Sequence, residues 1–127
     1  MVSRTVVAAL LLLLVGCASG GAAGPTGGDR NLITAEEIAA VSAATAADLV
    51  NQLRPNWLRA RGPVSMGRNV PDVPIVYVDG VRSGDISVLD RISSQVVTGM
   101  RFLPGRDATT MYGLDHGGGV IMVSTRP

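Results

Sequence analysis

Pro74-Ile75-Val76-Tyr77-Val78-Asp79-Gly80-Val81, answered near the end of the chain by Gly118-Gly119-Val120-Ile121-Met122-Val123-Ser124-Thr125-Arg126, decides the fold. Ile75 to Val78 is β-branched and aromatic and runs into Asp79-Gly80, which reads as a strand ending in a turn. Pro71 and Pro74 give it an extended approach. Val120 to Thr125 is a second strand, with Val120, Met122 and Ser124 on one face and Ile121 and Val123 on the other. Between the two, Ile86, Leu89 and Ile92 recur at three-residue spacing, which suits one or two helical turns capped by Asp85. Met100 and Phe102 alternate with Gly99 and Arg101 as a half-buried strand closing at Leu103-Pro104-Gly105. The mixture predicts one small α/β domain with a mixed sheet and short helices. Three short strands leave its order open.

Upstream, Thr34-Ala35-Glu36-Glu37 is a capping box, with Ile33 and Ile38 at the two staple positions. Thr45-Ala46-Ala47-Asp48 is a second box, opening a helix from Ala46 to Leu53. Leu49, Val50 and Leu53 share its face, and Pro55 stops it. Order is expected from Asn31 onward. Trp57 fits either a contact anchor or core packing.

The first residues read differently. Arg4 precedes an apolar run from Val6 to Val15, the pattern of an export signal. As a helix, Thr5 to Val15 would span roughly 16 Å, against about 30 Å of bilayer hydrocarbon. Leu14-Val15-Gly16-Cys17 resembles the bacterial lipobox, and Cys17 is the only cysteine. That resemblance implies cleavage after Gly16 and lipid attachment at Cys17, with the outer membrane as destination because Ala18 follows. An ordinary signal peptide cleaved near Ala18 or Ala22 is the alternative. Each buried acyl methylene contributes ~0.8 kcal/mol, so several chains anchor stably. Residues 17–30, rich in Gly and Ala, read as a tether with a reach of ~20 Å, leaving 31–127 as the domain.

Tyr77-Val78-Asp79-Gly80, Met111-Tyr112-Gly113 and the Gly118 to Arg126 run, in that order and spacing, resemble the plug domain of TonB-dependent outer-membrane receptors. Asp107 to Gly113 is most similar to the SusC-like branch. In that family the signature comprises a strand ending in Asp-Gly, a short helix, another strand, a turn containing Tyr-Gly and a final Gly-Gly strand. Asp79, Gly80, Tyr112, Gly113, Gly118 and Gly119 stand at its structural positions. Plug domains are normally followed by a large β-barrel, whereas this chain stops at Pro127. Leu53-Arg54-Pro55-Asn56-Trp57 lacks the family's usual Gly, and no TonB-pairing box is recognisable between Ala18 and Leu32.

Composition narrows the chemistry. Losing Met1 to Gly16 would remove Arg4, leaving ten arginines against ten acidic residues and no lysine. Balanced charge excludes a nucleic-acid footprint, and Arg54, Arg59, Arg61 and Arg68 read as a solvated basic stretch. His116 has no nucleophile elbow to serve, and one histidine without a free thiol is too few ligands for a metal. Gly117-Gly118-Gly119 precedes a strand, not a helix, so tight passage explains it better than phosphate binding. Asp79, Asp85 and Asp90 lack EF-hand spacing.

No enzyme, cofactor or metal is expected. The leading expectation is a non-catalytic interaction or accessory module for an envelope transporter, lipid-anchored at the outer membrane with a β-barrel or other envelope protein as partner. The other is a periplasmic receptor for a siderophore, glycan or peptide. Its candidate contact loops are Val81-Arg82-Ser83-Gly84-Asp85 and Asp115-His116-Gly117.

Overall fold

The computed structural model describes residues 28–59 and 72–126. Cys17, Arg61, Arg68, Pro71 and most of the tether lie outside the described residues. Strand β1 (Leu32–Ile33) leads into helix α1 (Ala35–Ala40) and helix α2 (Ala46–Leu53). Both capping boxes form. Thr34 Oγ1 accepts from the Glu37 amide at 3.3 Å while Glu37 Oε2 accepts from the Thr34 amide at 3.0 Å. Thr45 and Asp48 repeat the exchange at 3.2 Å each way. Each box satisfies two amides that a helix start otherwise orphans.

Pro55 closes α2 by opening a short 3-10 segment, Pro55–Leu58. Strands β2 (Ile75–Val78) and β3 (Val81–Asp85) form a hairpin, followed by 3-10 turns at Ile86–Arg91 and Ser94–Val96. The three-residue spacing of Ile86, Leu89 and Ile92 is thus the 3-10 period itself. Strand β4 (Val97–Leu103), helix α3 (Gly105–Tyr112), a 3-10 turn at Leu114–His116 and strand β5 (Val120–Thr125) complete the chain.

The sheet order is β1-β4-β5-β2-β3. Only β5 and β2 run parallel, and the other three pairs are antiparallel. Central β5 is covered on both faces, which is why it is apolar on both. Ile121 and Val123 join Ile33, Leu49, Val50, Val76, Met100 and Phe102 in the main core beneath α1 and α2. Val120 and Met122 join Tyr77 and Ala108 beneath α3. The backbone also ties the layers together: the Ala46 amide donates to Ile92 O at 2.8 Å and Ser94 N to Ala44 O at 3.0 Å.

The mixed α/β domain agrees with the sequence, but three details differ. The sheet has five strands where three were expected. Val81 to Asp85 is the edge strand β3, not a loop. The Tyr-Gly turn is in fact the end of an α-helix, α3. That helix is hard to read because Pro104 gives it no side-chain cap. Thr109 and Thr110 both bond back to the Arg106 carbonyl, a habit that weakens isolated helices. Packing on the sheet holds it instead.

Candidate functional site

The residues singled out in the sequence fall at the two ends of the β2–β5 pair. At one end, Asp79 and Gly80 have φ of 49° and 84°. Positive φ at both central positions makes a type I′ hairpin turn, whose twist matches the strands. Asp79 also ties the turn to β5, accepting from the Thr125 amide at 2.8 Å and from the Thr125 hydroxyl. These bonds hold its carboxyl below the ordinary range. Asp85, at the far end of β3, caps Ser87 at 2.9 Å and is lowered by the Ser87 hydroxyl and amide. Both carboxylates are engaged in local turn and cap bonds.

Asp115, His116 and Gly117 lie at the Asp85 end, so Val81 and His116 do not share a loop cluster. His116 is 4% exposed, buried rather than presented to a ligand. Its Nε2 lies 3.1 Å from the Tyr77 hydroxyl and its Nδ1 3.3 Å from Gly113 O. A carbonyl only accepts, so in the neutral ring Nδ1 carries the proton and Nε2 accepts from Tyr77. The Tyr112 ring packs on both, 4.9 Å from Tyr77 and 5.4 Å from His116 between centroids. This cluster fastens α3 and the turn after it to the sheet. Tyr77→Phe is expected to lower stability by about 1–2 kcal/mol, because Nε2 loses its donor inside the protein. Urea denaturation of the two proteins measures it.

The glycines mark close approaches. A Cβ on Gly105 would sit 2.0 Å from Gly117 O, and one on Gly118 would sit 2.4 Å from Val73 O. Helix α3 therefore starts flush against the Gly117 carbonyl, while residues 72–73 cross Gly118. Gly119, with φ of 95°, turns the chain into β5. Gly113, with φ of 102°, ends α3. The plug-signature residues thus do structural jobs.

Arg54 is the largest departure from a solvated basic stretch. Its guanidinium pairs with Glu37 at 2.8 Å and donates to Leu32 O at 3.0 Å and Leu53 O at 2.9 Å, joining α2 to β1 and α1. Burial pushes the Glu37 carboxyl up, but the Thr34 amide and the Arg54 guanidinium outweigh it and leave it lowered from 4.5. A depressed carboxylate stabilises the fold above its unfolded pKa, and the contribution is lost as pH falls through the folded value. Glu37→Gln is expected to cost about 1–2 kcal/mol at neutral pH and to flatten the loss of stability below pH 4.5. Denaturation midpoints from pH 7 to 3 check both.

Trp57 belongs to the core. It is 3% exposed, stacks on Phe102 with centroids 5.7 Å apart, and donates to Arg30 O at 3.1 Å. Ordered contacts therefore reach back past Asn31 to Arg30 and to Asp29, whose carbonyl accepts from the Leu32 amide at 2.9 Å. A half-open cleft of about 640 Å³ lies beside this region, lined by Arg30, Asn31, Glu37, Gln52 and Arg54 among others. Arg54 Nε is buried without a hydrogen-bond partner. The cleft is built by long-range contacts, and sequence reasoning did not find it. The described residues contain no cluster of metal-ligating side chains and no helix long and apolar enough to cross a membrane.

Comparison with protein families, with curated proteins and with solved structures finds no match.

Proposed function

We propose that this chain is a lipid-anchored, non-catalytic interaction module of the outer membrane, plug-like in its domain and accessory to an envelope transporter. The observation that carries the reading is how the motif residues are used. Asp79, Asp85, Tyr77, His116 and the glycines are engaged in turns, caps and close packing. The exposed surface includes apolar side chains such as Met111, at 67%, and Leu114, at 92%, among arginines and acidic residues such as Glu36 and Asp107. Surfaces of that kind suit binding, where Arg and Met are enriched. The lipobox-like Leu14 to Cys17 and the plug-like order of motifs supply the location and the class of partner.

Membrane fractionation tests the anchor. The wild-type chain is expected in the outer-membrane fraction with an acylated N-terminal cysteine, and Cys17→Ala in the soluble fraction. Equal distribution of the two would refute it. A second reading, small-ligand binding, has one observation in its favour: the cleft of about 640 Å³ beside Arg54. It moves the candidate site away from Val81–Asp85 and Asp115–Gly117. Thermal-shift screening with siderophores, glycans and peptides separates the readings, since stabilisation that Arg54→Lys abolishes would favour the receptor.

A further inference from the structure

The chain enters the domain through a turn whose backbone is occupied by hydrogen bonds. The Asp29 carbonyl accepts from the Leu32 amide at 2.9 Å, which closes a turn with Arg30 and Asn31 at its centre. Both sides of the Arg30–Asn31 peptide are bonded. Its carbonyl accepts from Trp57 Nε1 at 3.1 Å, and its amide donates to Asp29 Oδ1 at 2.9 Å. Other elements hold the next two carbonyls: Asn31 O accepts from the Phe102 amide of β4 at 2.8 Å, and Leu32 O from Arg54 Nη2, at the end of α2, at 3.0 Å.

The Arg30 side chain, by contrast, is exposed. It is also the only basic residue between Cys17 and β1, since residues 18–29 contain neither Arg nor Lys. A trypsin-like protease seats a basic side chain in an acidic pocket and attacks the carbonyl of the same residue. Here the side chain is offered, but the carbonyl is taken and the backbone is folded into a turn. Cutting such a bond waits for the backbone to open.

We propose that Arg30–Asn31 is a guarded release site, at which a trypsin-like protease frees the domain from its lipid anchor, and that Trp57 is the positioning residue that guards it. The inference rests on the anchored reading of the chain and adds a way to end the anchoring. The reaction is hydrolysis: water adds its hydroxyl to the Arg30 carbonyl carbon, the C–N bond breaks, and Asn31 leaves with a new amino terminus. Residues 17–30 stay with the lipid. The domain keeps the bonds at Asn31 O and Leu32 O, which lie on its side of the cut. Opening lifts only the entry turn, so it costs less than unfolding the domain.

The probe is dilute trypsin against the full mature chain in neutral detergent. Intact 31–127 is scored by mass, so that molecules first cut at other arginines do not count. Dilute protease keeps the rate proportional to the open population. Trp57→Phe keeps a ring against Phe102 but removes the indole N–H. It is expected to be cut after Arg30 about fivefold faster than wild type, the equivalent of one hydrogen bond. Tyr77→Phe is the control: it weakens the domain in the other core cluster, away from the turn, and is expected to be cut at the wild-type rate. Melting temperatures confirm that both variants are folded. A wild-type rate for Trp57→Phe would overturn the proposal. Equal acceleration in both variants would also overturn it, because opening would then be global. The assay needs no membrane, so its failure is distinct from a failure of the lipid-anchor reading, which fractionation reports.

Discussion

Gly118→Ala is expected to destabilise the domain by about 3 kcal/mol or more, the range in which forced overpacking stops being tolerated. The added methyl would lie 2.4 Å from Val73 O, 2.5 Å from Val73 C and 2.7 Å from Asp72 C. All three are backbone atoms, so no side-chain rotamer can relieve the clash. The Asp72–Val73 segment leads directly into β2, and β2 pairs with both β3 and β5. Moving it disturbs the middle of the sheet. Gly80→Ala is the control. Its φ is 84° but nothing lies within 4 Å of the new methyl. Only the left-handed backbone is penalised there, by about 1 kcal/mol. Chemical denaturation of both variants should rank them in that order, and a Gly118→Ala protein as stable as Gly80→Ala would contradict the packing described for the Gly117–Gly119 turn.

Leu49→Ala is the second large effect. Leu49 is fully buried on α2 within the main core. Removing its methyl groups forfeits their burial and leaves a cavity, together about 2–5 kcal/mol. A domain of this size has roughly 5–10 kcal/mol in total, and each kcal/mol moves the melting temperature by about 4–8 °C. The expected drop is therefore of order 15 °C. Leu53→Ala, one turn along the same helix and only partly buried, should lose about half as much. Thermal melts followed by circular dichroism compare them.

The parts of the fold legible in the sequence are those specified by neighbouring residues. The capping boxes at Thr34 and Thr45 each lie within four residues, and both form. The alternation of β5 is local too, and its two apolar faces correctly mark a strand covered twice. Strand β3 was missed because Val81-Arg82-Ser83-Gly84-Asp85 has one β-branched residue and no alternation. The signal that could have found it was the Asp79-Gly80 pair, the commonest kind of two-residue hairpin turn. Strand β1, two residues long, carries too little pattern to be seen at all. Helix α3 depends on Gly105 meeting Gly117, and no local property of either residue announces that contact.

The candidate site was less legible for the same reason. Tyr77 and His116 are 39 residues apart, and Trp57 finds Arg30 across 27. Arg54 looked like one of four loosely spaced arginines, yet its partners are Leu32 and Glu37. Arg82, expected in a loop, lies on strand β3 and shares a sheet face with Arg101, a residue to which no local pattern connects it. Strand order brings those two together, and strand order was the feature left open.

The central claim is that the chain works by binding an envelope protein while tethered by Cys17. Chemical cross-linking in cells, followed by purification of the tagged chain from detergent-solubilised outer membranes and identification of its adducts, tests it most directly. The account predicts a reproducible adduct with one envelope protein, a β-barrel by expectation, that is absent from Cys17→Ala cells. Recovery of no envelope protein above the Cys17→Ala background would contradict it.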